Sequence, residues 1–173
     1  VADDRAHAST SGTLLIATRN PGKLAELASL LADVPFRLMS LDEAGIDTDV
    51  AETGATLEDN ARLKATQYAA ASGMLTLADD SGLEVDALNG EPGPLSARYA
   101  GPDASDAQRI AFLLRRLADS GERDRSARFR CVIAVARPGE PAATYTGECR
   151  GRIISRPRGR GGFGYDPVFL IPE

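Results

Sequence analysis

Apolar positions along the chain fall into patterns that alternate between strand and helix. "LLIAT", Leu14 to Thr18, is a short continuous apolar run and reads as a buried strand. After "RNPGK", Leu24, Leu27, Ala28, Leu30 and Leu31 recur at helical spacing, with Asn20 suited to the N-cap and Pro21 to the first helical position. A second helix is predicted within "ETGATLEDNARLKATQYAAASG". Thr56 is its N-cap, Glu58 and Asp59 occupy the first turn, where the helix dipole favours acids, and Gly73 is its stop. A strand follows through Leu77, then an acidic turn at Asp79 and Asp80, then a second strand in "LEVDAL". "GEPGPLSARYAGPDAS" reads as a loop. Asp106 to Ser120 places Ile110, Leu113, Leu114 and Leu117 on one helix face. "ARFRCVIAVA" and "ATYTGECRGRII" flank "RPGEP" and predict a hairpin of two longer strands, and a Gly-rich loop then leads into "VFLI". The alternation with one antiparallel hairpin implies an α/β fold on a mixed sheet flanked by helices. Residues 13–173 read as one domain without repeat or linker, preceded over 1–12 by a small, polar, disordered tail.

Composition narrows the chemistry. At 173 residues, 43% hydrophobic and 26% charged, the chain is long enough for one real core. No apolar run approaches the roughly 20 residues that span a bilayer, and the N-terminus carries no secretion segment, so the chain reads as cytoplasmic with no membrane partner. A net charge of −5 argues against a general nucleic-acid binder, although "RGRIISRPRGR" carries five arginines and no acid, and an anion suits that stretch. Cys131 and Cys149 form no CxxC pair, and the one histidine, His7, lies in the tail. Ser-His-Asp, Cys-His and histidine-zinc systems are thereby removed. What remains is carboxylates, Lys, Arg, hydroxyls, backbone amides and a hard metal.

Four stretches carry candidate chemistry. In "TRNPGK" a strand turns into a helix whose N-terminal amides favour phosphate, and Lys23 occupies a first turn where a cation is unfavourable unless an anion shares the site. It is not a Walker A loop: Ala17 stands where that motif needs glycine, and Leu24 follows the lysine. By itself the stretch also fits an ordinary strand-helix turn with solvated charges. In "LADDSG", successive strand residues point to opposite faces, so Asp79 and Asp80 have different tasks: one to bind Mg²⁺, the other to orient or deprotonate water, or both merely to cap a polar turn. Asn60 and Lys64, four apart after Glu52, share a helix face and form either a polar network or a solvated surface. "GGFGYDP" offers close backbone approach and the flat faces of Phe163 and Tyr165, where base stacking is worth roughly 1–3 kcal/mol.

Taken in order, "ATRNPGKLAEL", "ETGATLEDNARLKA", "ADDSGLEVDALNGEPGPLSARYAG" and "GGFGYDPVF" resemble the pyrophosphatases of non-standard purine nucleoside triphosphates, the inosine triphosphatase-like family acting on ITP, dITP and XTP. The likeness runs from Leu14 to Pro172. It implies a two-lobed α/β fold around a long curved mixed sheet, a homodimer, Mg²⁺ as cofactor, and hydrolysis to the monophosphate and pyrophosphate that cleanses the nucleotide pool. It further implies that Thr18, Arg19, Asn20, Pro21, Gly22 and Lys23 hold the triphosphate. By the same likeness Asp80 is expected to be the general base and a metal ligand, Ser81 to touch substrate, and Glu52 to be a further metal ligand with Asp79 close by. It likewise implies that Asn60 and Lys64 support them and that Phe163, Gly164, Tyr165 and Asp166 hold the nucleoside, with Phe163 stacking on the purine. The family pattern continues past this loop with a lysine and a Ser-His-Arg stretch, whereas no His or Arg follows Asp166 here. The expectation is therefore triphosphate chemistry with weak discrimination between ITP and ATP, or weak activity. Competing readings are a pyrophosphatase of modified pyrimidine nucleotides, a nucleotide sensor without turnover, and an RNA binder using "RPRGRGG".

Overall fold

The strand-forming runs assemble into one six-stranded mixed sheet, described together with residues 12–172 in a computed structural model. The strands are β1 (Thr13–Ile16), β2 (Arg37–Ser40), β3 (Leu75–Val85), β4 (Ser126–Ala136), β5 (Ala143–Ile153) and β6 (Phe169–Leu170). Their order is β2-β1-β3-β4-β5-β6; β1 runs parallel to β2 and β3, and the rest of the sheet is antiparallel. Three helices flank it: α1 (Pro21–Leu30), α2 (Leu57–Ser72) and α3 (Asp106–Asp119). All but residue 12 of the tail expected at 1–12 lies outside the described residues. No helix among the described residues is long and apolar enough to cross a membrane.

Local signals place the helices. The Asn20 side chain caps α1, Thr56 caps α2, and Gly73 closes α2 in the left-handed conformation at φ 70°. Ser105 and Gln108 form a capping box on α3. The hairpin β4–β5 also lies where the alternation predicts it.

The acidic turn expected after Leu77 does not exist. β3 is one continuous 11-residue strand through Asp79, Asp80 and Ser81. Its ladder with β4 is unbroken from Thr76↔Ala136 to Val85↔Ala127. Ten paired residues hold the backbone extended whatever the local cost of two adjacent carboxylates. β2 has no counterpart in the sequence pattern, because four residues with one partner strand carry little periodic signal. The Gly-Pro stretch after β3 holds a 3-10 turn at Gly93–Arg98, and the final "VFLI" contributes only two strand residues.

Alternation along β3 divides the molecule. Ala78, facing one side, joins Leu15, Val132, Ala134 and the apolar side of α2. Leu75 and Leu77, facing the other, pack with Ile16, Ile133, Val135 and the α1 leucines Leu24, Leu27 and Leu31. Leu83 and Val85 share that second side but pack with Ile110, Leu113 and Leu117 of α3. α1 and α3 thus sit at opposite ends of one face of a long strand, giving two lobes. Between them β3 presents Asp79 and Ser81 rather than apolar side chains.

Candidate functional site

The gap between the lobes is a cleft of about 1210 Å³. β1 pairs with β3 only as far as Ile16↔Leu77, with one further bond from Ala17 N–H to the Leu77 carbonyl. From there to Ser81, before the 3-10 turn at Gly93–Arg98 takes up that edge, β3 keeps β4 on one side while its other edge opens toward the cleft. Side chains from both faces therefore reach one cavity, and Asp79 and Asp80 both line it.

The two acids address different helices, as opposite faces require. Asp79 Oδ2 accepts from Lys23 Nζ at 2.6 Å, which explains how a lysine is tolerated in the first turn of α1. Asp79 is 4% exposed and its Oδ1 is buried without a hydrogen-bond partner. Asp80 Oδ2 accepts from Asn60 Nδ2 at 3.1 Å, and its Oδ1 lies 3.7 Å from Lys64 Nζ and accepts the Ser81 N–H at 3.1 Å. Lys64 also donates to Glu52 Oε1 at 2.8 Å, so its ammonium bridges the two carboxylates.

Burial pushes the Asp80 carboxyl above its ordinary range; the Lys64 cation opposes this and the Glu52 charge adds to it. For Glu52 burial acts in the same upward sense, but the bonds from Lys64 and Arg98 prevail and hold it below the usual value. Lys64 is pulled down by burial and more strongly raised by Asp80 and Glu52. Two neighbouring carboxylates with opposite shifts around one cation make a polarised pair, one drawn toward protonation and one held ionised.

The turn into α1 is partly self-satisfied. Asn20 Oδ1 accepts from the Gly22 and Lys23 amides at 2.9 and 3.2 Å, leaving the lysine head and the positive helix end as its offer to an anion. Thr18 and Pro21 line the cleft. Arg19 also lines it, but its guanidinium donates to the Ile46 and Thr48 carbonyls at 2.7 and 3.1 Å and tethers the loop after β2.

Across the cleft, Phe163 lies on the backbone of Gly22. A Cβ there would meet Phe163 Cδ1 at 2.6 Å, so a side chain at this position pushes the ring aside. Asp166 Oδ2 accepts the Phe163 N–H at 3.0 Å and closes the loop on itself. Tyr165 is buried, 4% exposed, its ring in the α3 core and its hydroxyl donating to the Ser96 carbonyl at 2.9 Å. Burial pushes that hydroxyl up to about 12.

All the site residues expected from the sequence except Asn60 line this one cleft, and Asn60 stands directly behind Asp80. The profile of the Ham1 family matches residues 14–173. The chain belongs to the Ham1 family. A dITP/XTP pyrophosphatase of Geobacter sulfurreducens is 49% identical over 160 residues, covering 92% of this Ham1 chain and 80% of the relative. One from Geobacillus kaustophilus is 51% identical, with 92% and 78% covered. The solved structure of a Ham1 protein from Coxiella burnetii superposes with a TM-score of 0.83 at 42% identity, covering 91% of this chain and 80% of that one. The nucleoside-triphosphatase / dITP/XTP pyrophosphatase of Mycobacterium abscessus gives 0.76 at 43% identity, with 92% and 83% covered.

Several members of the Ham1 cleft carried no separate signal in the sequence. Arg98 donates to Glu52 Oε2 at 3.3 Å from a stretch that reads as plain loop. Asp106 and Arg109 read as the first turns of a helix, yet both line the cleft. Cys131 faces Ser81 across the β3–β4 ladder, and burial beside Asp79 pushes its thiol up to about 11, making it a poor nucleophile.

Proposed function

We propose that this Ham1 chain hydrolyses ITP, dITP and XTP to the monophosphate and pyrophosphate, clearing deaminated purines from the nucleotide pool as a cytoplasmic homodimer. The observation that carries the reading is the division of Asp79 and Asp80 over one open strand edge. It gives the cleft a cationic helix end on one side of β3 and a polarised carboxylate pair on the other. The names of the relatives agree with it. No observation favours pyrimidine substrates, a sensor or an RNA partner.

In this reading the triphosphate lies along Thr18–Lys23, with Lys23 turning from Asp79 toward the phosphates. The base lies against Phe163, where stacking contributes roughly 1–3 kcal/mol. Asp80, drawn up toward neutrality by burial, holds and deprotonates the attacking water; Asn60 and Lys64 fix its orientation. Ser81 meets the substrate from the same strand. Positioning and charge stabilisation supply most of the rate.

The donor set fits a magnesium ion. Among the described residues no three Asp, Glu, His or Cys side chains converge into a closed cage. Mg²⁺ commonly takes only one or two carboxylates together with substrate phosphates. Glu52 and Asp80 present hard oxygens into the cleft, and the buried Asp79 Oδ1 has no hydrogen-bond partner. Lys23, Lys64 and Arg98 balance Asp79, Asp80 and Glu52 in ion pairs, leaving little net positive charge for a triphosphate. When bound, Mg²⁺ would supply that charge and screen the leaving pyrophosphate.

Pyrophosphate release from dITP, XTP, dATP and dCTP, with and without Mg²⁺, tests the proposal. The expected result is Mg²⁺-dependent release from the purine analogues, lost by at least about a hundredfold in Asp80→Asn. Near-normal turnover by a folded Asp80→Asn variant, or preference for dCTP, would sink it.

A further inference from the structure

We infer that Tyr165, Asp106 and Arg109 are positioning residues that couple the Phe163–Asp166 loop to Glu52 through Arg98; the functional side of this rests on the reading just given. Two separate hydrogen-bond lines leave the loop and end on consecutive peptide units. Tyr165 Oη donates to the Ser96 carbonyl at 2.9 Å. The Gly164 N–H donates to Asp106 Oδ2 at 2.7 Å, the other oxygen of Asp106 pairs with Arg109, and Arg109 Nη1 donates to the Ala97 carbonyl at 2.8 Å. The next residue is Arg98, whose guanidinium lands on Glu52 Oε2. Glu52 in turn holds Lys64, the cation beside Asp80.

The segment between is stiff enough to transmit a shift. Ser96 Oγ donates to the Gly93 carbonyl at 2.6 Å and accepts the Leu83 N–H at 2.9 Å, pinning the 3-10 turn to β3. Gly82 lets the two backbones touch: a Cβ there would lie 2.2 Å from the Gly93 oxygen. A 3-10 turn held on one side by a strand and on the other by the loop has little freedom except to follow them. Arg109 reaches its carbonyls from a largely buried side chain, 19% exposed, an expensive way to fill space that apolar packing would fill as well. The chemistry makes sense if the end of the cleft that meets the base must set the carboxylate at the end that meets the phosphates.

A double-mutant cycle on pyrophosphate release from dITP tests this, using Tyr165→Phe, Arg98→Ala and the pair. The hydroxyl is lost while the ring stays in the core. Tyr165→Phe alone is expected to lower kcat about tenfold and change KM less than about twofold. In the Arg98→Ala background the same change is expected to move kcat less than about twofold. Multiplicative losses, or a loss confined to KM, would overturn the coupling. Asp106→Asn, which keeps an acceptor for Gly164 but weakens the hold on Arg109, should behave as Tyr165→Phe does; full activity there counts against the second line. Hydrogen exchange gives a readout independent of turnover. The amides of 93–98 should exchange faster in Tyr165→Phe while those of 75–81 do not, and unchanged 93–98 amides would reject the link. If the unsubstituted chain releases no pyrophosphate, the functional proposal fails, and the exchange result still decides whether the Tyr165 hydroxyl holds the 3-10 turn.

Discussion

Lys64 is the charge on which the polarised pair depends, and removing it has a calculable effect. Its ammonium lies 3.7 Å from Asp80 Oδ1 and 2.8 Å from Glu52 Oε1, with the side chain 13% exposed. At 3.7 Å one unit charge is worth about 4–5 kcal/mol at an effective dielectric near 20, equivalent to about 3 pKa units. Water in the open cleft reduces this, and about 1 unit is a floor for a carboxylate losing a cation at such range. Lys64→Met keeps most of the length of the side chain and removes the charge. The sign is fixed: without the cation the ionised form of Asp80 is disfavoured, so its pKa, already raised by burial, rises further. The acid limb of the kcat/KM profile for dITP should move to higher pH by about 1–3 units. Glu52 loses its strongest partner too, so ¹³C-aspartate labelling is needed to separate the acids by NMR titration in the substrate-free protein. An acid limb and an Asp80 titration unchanged within about 0.3 unit would refute the electrostatic account, whatever happened to the maximal rate.

Asp80→Asn should be more stable than the parent at pH 7, by a Tm rise of about 2–4 °C for roughly 1 kcal/mol in a chain this size. A carboxyl whose pKa is raised by folding adds stability below its unfolded value near 3.8 and loses it as pH rises through the folded value. The gain should vanish in acid, and a loss at pH 7 would contradict the assignment. Glu52→Gln should show the reverse trend, costing about 1–2 kcal/mol at pH 7 in urea unfolding. A carboxyl lowered by folding contributes above its unfolded value near 4.5 and loses this as pH falls through the folded value, so the deficit should close in acid. Gly82→Ala would drive a Cβ to 2.2 Å from the Gly93 oxygen, a backbone atom, and should cost at least about 2 kcal/mol in urea unfolding as well as slowing turnover. Gly22→Ala meets only the edge of the Phe163 ring at 2.6 Å. Helix propensity offsets about 1 kcal/mol of that strain, so stability should change little while KM for dITP rises severalfold.

Much of this was legible in the amino-acid sequence because it is local. Asn20, Thr56 and Gly73 act on backbone groups a few residues away, so cap, stop and helix are written side by side. The assignment of Asp79 and Asp80 to different partners follows from strand geometry alone and survives even though the turn expected around them does not. The order of the four motifs carried the family and with it the likeness to solved Ham1 structures.

What only the tertiary structure decided are properties set by residues far apart in the chain. Whether two adjacent acids form a turn or the middle of a strand depends on β4, some fifty residues on, whose ladder holds them extended. That both acids open into one cleft depends on where β1 stops pairing. Their opposite surroundings depend on Lys64 and Glu52, arriving from α2 and the loop before it. The place of Arg98, Asp106, Arg109 and the buried hydroxyl of Tyr165 depends on contacts spanning up to 69 residues. Periodicity reports which face of an element is apolar; it cannot report which polar group from another element will meet the opposite face.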